Sequence, residues 1–409
     1  MRHLYLAWII LVLAACQQAS QPAAGPRAGI WRGELTLEEG VQLPFFFEVQ
    51  QDTGLAVVLL NADERLPVEA VSLTGDSLWM RTAVFGSTFH TRLTGDSILE
   101  GYWHHDYRGP DHQLAFRATA GDQPLFPMTS GAPPAPIEPV WEVIFSPEDR
   151  KTPAIGEFRQ QGQRVTGTFL TETGDYRYLD GSMDGRHLRL ATFDGSHAFL
   201  FSAVLYPNGG LMGEFRSGAH WKEPWIARPN PQASLRPADS LTFLKPGYTR
   251  FELALPDLQG DTVSLADAAF QNKVVIVQIM GSWCPNCMDE TRLLAEWHRR
   301  YQAQGLEVVG VAFERAPDVA TARGYLEGMK ARLGADYTVL LAATDNSPAT
   351  AAAVLPMLNH IMSFPTSIYI DRKGQVRRIH TGFSGPGTGD HYLRFREEYE
   401  AFIEKMLAE

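Results

Sequence analysis

Cysteine is scarce in this chain: three occur in 409 residues, at positions 16, 284 and 287. A structural zinc site needs about four Cys or His ligands. Cys16 has no CxxC or HxxxH partner nearby, so the pair at 284 and 287 does not read as half of such a site. Basic charge is short too. Lys and Arg number 36 against 47 Asp and Glu, a net charge of −11, which argues against a nucleic-acid surface. No block of like charges reads as an interaction tail. The apolar run at residues 4–13 is too short to span a bilayer comfortably. The remainder is globular in composition, 44% hydrophobic and 20% charged, and long enough for two or three domains.

The short run has a different meaning. Met1-Arg2-His3 is a basic start, residues 4–13 form an apolar core, and Ala14-Ala15-Cys16 closes it. That is the layout of a signal peptide over 1–15. Leu13-Ala14-Ala15-Cys16 resembles a bacterial lipobox, which implies that Cys16 is lipidated and becomes the first mature residue. An ordinary signal peptide with a fortuitous cysteine is the alternative. Gln17 follows where Asp would signal inner-membrane retention. The expectation is therefore a cell-envelope protein, lipid-anchored in the outer membrane and facing the periplasm, with residues 16–28 as a small, polar tether.

From 29 to 122 the pattern is short alternating strands, as in Phe45-Phe46-Phe47-Glu48-Val49 and Ser77-Leu78-Trp79-Met80-Arg81. Hairpin signals recur at Thr74-Gly75-Asp76-Ser77 and Thr94-Gly95-Asp96-Ser97. Six prolines mark 123–139 as a linker. The β pattern resumes over 140–227, and 228–240 is a second linker. The two β stretches read as an antiparallel sandwich or barrel, either duplicated or one continuous unit. Their aromatics suit core and rim packing, or a groove for a peptide or hydrophobic ligand. His104, His105, Asp106, Asp111 and His112 have the right chemistry for a metal. They straddle a Gly109-Pro110 turn with no helix to fix their spacing, so a polar hairpin tip is expected and no metal.

Beyond 241 strands and helices alternate, giving an α/β domain with a mixed sheet over 241–409. A hairpin opens it over 251–265. Helices are expected at 285–301, 317–333, 347–360 and 391–407. The run Val274–Met280 is β-branched and apolar. It ends in Gly281-Ser282, then Trp283-Cys284-Pro285-Asn286-Cys287, then a helical pattern. Both sulfurs fall at a helix N-terminus, where unpaired N–H groups favour a thiolate. Cys284, expected to be the more exposed, is the candidate nucleophile, and Cys287, one turn in, would resolve the mixed disulfide. Pro285 fits the first helical turn. Two buried structural cysteines would be the plain alternative. Phe364-Pro365-Thr366 precedes a strand, which suggests a cis peptide in a tight turn.

These motifs, with Glu290 and the hairpin at Ile370-Asp371-Arg372-Lys373-Gly374, resemble the thioredoxin superfamily, and within it the TlpA/ResA-like redoxin group of membrane-tethered thiol–disulfide oxidoreductases. The resemblance covers about residues 245–409. It implies a thioredoxin-like fold and a redox disulfide between Cys284 and Cys287. It implies a cis Pro365 that leaves the backbone edge beside the sulfurs open to a substrate chain. Trp283, Pro285, Phe364 and Thr366 would border the substrate, and Glu290 would exchange a proton with Cys287. Gln278 stands where thioredoxin has a buried acid, so that burden falls on Glu290 or water. The implied partners are disulfide-containing envelope proteins, apocytochrome c among them, and a membrane electron donor. No cofactor is called for.

Two other functions compete. A thiol peroxidase of the related kind places Thr three residues before its reactive cysteine, where this chain has Gly281. A ligand- or partner-binding lipoprotein, with the β region in the main role and the redox domain as accessory, is the other.

Overall fold

The computed structural model describes residues 25–409 except 53, 83, 84, 106, 107 and 109–111. Cys16, the signal segment and most of the tether lie outside the described residues.

The first module is one antiparallel sheet of nine strands: β1 (Gly29–Glu38), β2 (Val41–Gln50), β3 (Ala56–Asn61), β4 (Glu64–Pro67), β5 (Ala70–Thr74), β6 (Ser77–Thr82), β7 (Ser87–Thr94), β8 (Ile98–His105) and β9 (Leu114–Ala120). Their order, β4-β3-β2-β1-β9-β8-β7-β6-β5, is that of an open half-barrel. Alternate residues point inward, among them Trp31, Leu35, Phe45, Phe47, Phe89, Trp103 and Phe116.

The second module contains β10 (Val140–Phe145), β11 (Thr152–Gln161), β12 (Arg164–Thr171), β13 (Gly174–Asp175), β14 (Leu179–Asp184), β15 (His187–Phe193), β16 (Ala198–Leu205), β17 (Leu211–Ser217) and β18 (Trp221–Pro229). Pairing of β11 with β12 closes eight of these strands into a barrel, leaving β13 as a short addition. So the two β stretches form separate sheets, not one continuous barrel. The barrel's outer face plugs the half-barrel. Phe193 lies 4.4 Å from Phe45 and 5.5 Å from Phe89, and Asn61 exchanges two hydrogen bonds with the Phe193 backbone. The strand β18 runs to Pro229, two residues past the boundary read at 227.

The third module has a hairpin of β19 (Ala254–Pro256) and β20 (Thr262–Ser264), then β21 (Val274–Met280), α1 (Pro285–Tyr301), β22 (Leu306–Phe313), α2 (Val319–Leu333), β23 (Thr338–Ala343), α3 (Pro348–Val354), β24 (Thr366–Ile370), β25 (Val376–Thr381) and α4 (Asp390–Ala408). The sheet order is β23-β22-β21-β24-β25, with β21, β22 and β23 parallel and β24 antiparallel to β21. The central strand is buried on both faces. Ile276 and Met280 face α1, α2 and α4, while Val275, Val277 and Ile279 face α3 and the opening segment. The helix expected over 347–360 stops at Val354. Pro356 disfavours the helical region for Leu355, which takes φ −120°, ψ 63°.

One side chain ties all three modules together. Arg177, at the end of the β13 segment, is buried and paired with Glu64 of the half-barrel, Asp194 of the barrel (3.5 Å) and Asp289 of α1. Burial pushes its pKa down, but Asp289, Glu64, Asp194 and Asp175 together carry it above its ordinary value. Removing the cation strands several buried carboxylates. Arg177→Met should therefore cost roughly 3–5 kcal/mol, read as a shift in urea midpoint at constant slope. A change below about 1 kcal/mol would show that the pairs contribute no more than surface ones.

Candidate active site

The site begins at the C-terminal edge of β21. The parallel strand hands the chain through Gly281-Ser282-Trp283 into α1, with Cys284 as its N-cap. The Cys287 N–H donates to Cys284 Sγ at 3.2 Å, so a sulfur meets one of the helix's unpaired donors. The Cys284 thiol faces the Phe364 carbonyl oxygen at 3.4 Å. Both cysteines are free thiols, Cys284 6% exposed and Cys287 fully buried. The Phe364–Pro365 peptide is cis, as the resemblance implies. Thr366 is buried, its hydroxyl donating to the Ser363 carbonyl. Trp283 packs edge-on against Phe364 and donates its ring N–H to the Phe313 carbonyl. Cys284, Cys287, Trp283, Pro285, Phe364, Pro365 and Thr366 thus come together at one end of the sheet.

Glu290 lies beneath them, fully enclosed. Gln278 Nε2 donates to its Oε2 at 2.8 Å and to the Cys287 carbonyl at 3.3 Å, and Ser367 Oγ donates to Oε1 at 2.9 Å. Burial pushes Glu290 up to about 7, against the pull of those two donors. Burial also pushes the Cys287 thiol up, reinforced by Cys284 beside it. The neutral Gln278 therefore links the acid to the backbone of the inner cysteine. A second buried acid was not singled out in the sequence. Glu314, directly after β22, accepts from the Ser282 N–H and hydroxyl and is pushed up to about 7 by burial. Its sequence signal was its place: the C-terminal end of a parallel strand is where α/β sheets hold their sites.

The barrel covers this surface. Asn286, between the cysteines, donates to the Asp175 carbonyl at 3.2 Å. Ser363 Oγ donates to the Thr173 carbonyl, Ser196 Oγ donates to the Trp283 carbonyl at 3.0 Å, and Asp175 Oδ2 accepts from the Gly385 N–H. Gly174 has φ +133°, and a Cβ there would sit 2.7 Å from Asn286 Nδ2, so the close approach needs glycine. The edge expected to be open beside Pro365 is thus overlain by residues 171–176 of the barrel. Gly281 is closed to a larger residue as well: a Cβ would meet Trp283 Nε1 at 2.3 Å and the Phe313 oxygen at 2.8 Å. That counts against the hydroxyl residue a peroxidase arrangement would place there.

Of the histidine-rich segment, His104, His105 and His112 are among the described residues. His105 is buried, with Nε2 on the Ser196 carbonyl at 2.9 Å, and burial, then Arg108, brings it down to about 3. Asp106 and Asp111 lie outside the described residues. Among the described residues no three His, Cys, Asp or Glu side chains converge as metal ligands, and no helix is long and apolar enough to cross a membrane.

A strand–CxxC–helix unit beside a cis-proline loop makes the C-terminal module a thiol–disulfide oxidoreductase-like redoxin domain. Residues 247–379 match the family model described as the AhpC/TSA family. Thiol-disulfide oxidoreductase ResA of Geobacillus thermodenitrificans is 29% identical over 136 residues, 33% of this chain and 69% of that protein. Thiol:disulfide interchange protein DsbE of Allochromatium vinosum is 28% identical over 131 residues, 32% of this chain and 64% of that protein. The solved structure of a thioredoxin family thiol:disulfide interchange protein from Chlorobium tepidum aligns with a TM-score of 0.30 at 19% identity, over 43% of this chain and 99% of its own. Both β modules lie outside the span of the family match.

Glu290 gives a pH signature. The folded chain holds this proton up to about 7, whereas the unfolded chain loses it near 4.5. Between those values the folded state binds the extra proton, so stability falls as pH rises through the window and levels above it. Glu290→Gln cannot titrate. Relative to the parent its stability should rise by roughly 3 kcal/mol between about pH 4 and pH 8, followed by denaturant unfolding across pH. Glu314 and Asp175 titrate in both proteins and cancel. A difference independent of pH would show that Glu290 ionises normally.

Proposed function

We propose that the chain is an extracytoplasmic, membrane-tethered thiol–disulfide oxidoreductase working through Cys284 and Cys287. The observation that carries this is the pair of free thiols at the N-terminus of α1, one capping the helix and the other buried behind it over an acid of raised pKa. Cys284 Sγ, as thiolate, attacks one sulfur of a substrate disulfide and displaces the other. Cys287 then attacks Cys284 Sγ, closing the protein disulfide and releasing the reduced substrate. Glu290 holds a proton beneath Cys287 rather than passing it to the sulfur directly. It reaches Cys287 only through Gln278 and the helix backbone, so it acts as a positioning and proton-holding residue. Trp283 and Phe364, which line the cavity at Cys284, form the wall against which the substrate disulfide lies, with Pro285, Pro365 and Thr366 buried behind it.

The direction proposed is reduction, as the resemblance to the TlpA/ResA-like group suggests. A membrane donor would restore the dithiol, and no cofactor takes part. In this reading the chain divides into a signal peptide over 1–15, a tether over 16–28 lipidated at Cys16, β modules over 29–122 and 140–227, linkers at 123–139 and 228–240, and the redox domain over 241–409. The outer membrane, facing the periplasm, is the location proposed. Disulfides of envelope proteins, apocytochrome c included, are the substrates the resemblance suggests.

The test is a trap. With bis(2-hydroxyethyl) disulfide, the reduced Cys287→Ser protein should hold a one-to-one mixed disulfide on Cys284, seen by intact mass. The parent should pass to its internal disulfide without accumulating that adduct, and Cys284→Ser should form none. An adduct on Cys287 in the Cys284→Ser protein, at the rate seen for Cys284, would reverse the roles.

A further inference from the structure

Between β12 and β13 the barrel turns tightly. Leu170 pairs with Asp175 and Thr171 with Gly174, so Glu172 and Thr173 form the tip of a two-residue hairpin. This tip lies at the mouth of the redox pair. Its Thr173 carbonyl accepts from Ser363 Oγ, two residues before the cis Pro365. The Asp175 carbonyl accepts from Asn286 Nδ2 at 3.2 Å, between the two cysteines, and Asp175 Oδ2 accepts from the Gly385 N–H at 2.7 Å. The cavity of about 450 Å³ that Cys284 lines therefore has two walls. Ser363 and Phe364 belong to the redoxin side, and Thr173, Gly174 and Tyr176 to the barrel.

The hairpin is held at both ends. Glu172 at the tip pairs with Arg236, and Arg177 beyond β13 carries the buried pairs to Asp289 and Glu64. Arg177 has φ +58°, a left-handed conformation uncommon outside glycine. Its N–H donates to Asp175 Oδ1 at 2.6 Å, which fixes the turn. The redoxin side is shaped to receive this backbone. Residues 382–389 read Gly-Phe-Ser-Gly-Pro-Gly-Thr-Gly. A Cβ at Gly382 would meet the Thr173 carbonyl carbon at 2.9 Å, and one at Gly387 would meet the Arg177 carbonyl carbon at 3.0 Å. Side chains at these positions would hold the hairpin off, so the glycine-rich loop is its seat.

A protein chain binds an exposed backbone edge by strand addition, and the edge beside Pro365 is the one such a chain would use here. The barrel hairpin stands on it. A small disulfide needs no edge, only room at Cys284, and the cavity has the volume of a small-molecule pocket. We propose that the hairpin 171–177 is a specificity element that bars protein disulfides from Cys284 and reserves the site for small-molecule disulfides. The proposal rests on the thiol–disulfide reading above and narrows its substrate class. The reaction balances within the pair. Cys284 thiolate breaks the substrate S–S bond, forms a mixed disulfide and expels one thiolate. Cys287 breaks the mixed disulfide, forms the Cys284–Cys287 bond and expels the second. The substrate gains two electrons and the protein dithiol loses them, and the two thiol protons pass to the released thiolates or to solvent.

The experiment follows oxidation of the reduced full chain by three disulfides: bis(2-hydroxyethyl) disulfide, a short linear peptide joined to a second copy through its one cysteine, and insulin. Each rate is divided by that of dithiothreitol with the same disulfide, which removes intrinsic reactivity. The flexible peptide is the decisive probe, because an open edge would pair with its backbone and favour it. The occupied edge predicts the reverse, with the small disulfide ahead of peptide and insulin by about tenfold or more. Gly387→Val crowds the Arg177 backbone without touching Cys284. It should raise the peptide-to-small ratio by about threefold or more, and loss of hydrogen-exchange protection over 171–177 reports release of the hairpin. The parent series decides by itself where that variant does not fold or does not release the hairpin. Equal normalised rates or a preference for peptide or insulin in the parent overturns the proposal and leaves the redox reading intact. So does an unchanged ratio in a folded Gly387→Val protein whose hairpin is released. Failure to reduce any of the three removes the redox reading and the proposal with it.

Discussion

A buried guanidinium is the constraint on which the arrangement depends. Arg177 cannot be left alone in the interior, nor can Glu64, Asp194 or Asp289, because each would be an uncompensated charge in a medium that screens poorly. The four groups come from three modules and meet at one place. Asp289 is two residues past Cys287, so satisfying the cation also seats the barrel on the helix that carries the redox pair. Glycine at 174 then lets the barrel backbone close on Asn286. Charge pairing fixes which surfaces meet, and the small residue fixes how closely.

Burial sets the chemistry of the pair. Exclusion of water raises the proton affinity of Cys287, Glu290 and Glu314 alike, each chiefly through burial. An acid held near neutrality can give or take a proton at physiological pH. A neutral glutamine, rather than a second acid, bridges it to the cysteine backbone, which avoids two like charges beneath one thiol. The barrel, through Thr173, Gly174 and Asp175, lies against the mouth of the pair at Ser363 and Asn286. Trp103, Arg108 and His220 of the β modules line the same cleft as Trp283.

Local features were the legible ones. The helix Pro285–Tyr301 and the strand Val274–Met280 match their sequence reading residue for residue, because a proline at N1, an N-cap and a β-branched apolar run are signals carried by neighbours in the chain. The CxxC pair and the cis Pro365 were legible through motif and spacing, and Glu290 entered only through the resemblance. The helix at 347–360 was overdrawn because its alanine-rich start outweighed Pro356. The strand β18 runs two residues past the boundary read at 227, because its end at Arg228-Pro229 carries no apolar alternation. What the sequence could not show was the meeting of modules. Arg177 lies more than a hundred residues from both Glu64 and Asp289, and no periodicity connects them. Glu314 and Arg315 read as an ordinary strand end until the fold placed one under Ser282 and the other over Trp283.

The central claim is that Cys284 and Cys287 form a reversible, reducing couple inside this enclosure. The most direct measurement is the reduction potential of the full chain, set by equilibration with dithiothreitol or glutathione buffers and read by alkylation of the free thiols. The reducing direction predicts a value below about −220 mV, toward the roughly −270 mV of thioredoxin. A value above about −160 mV, toward the roughly −120 mV of a strong oxidant, or thiols that never close to a disulfide, would contradict the account.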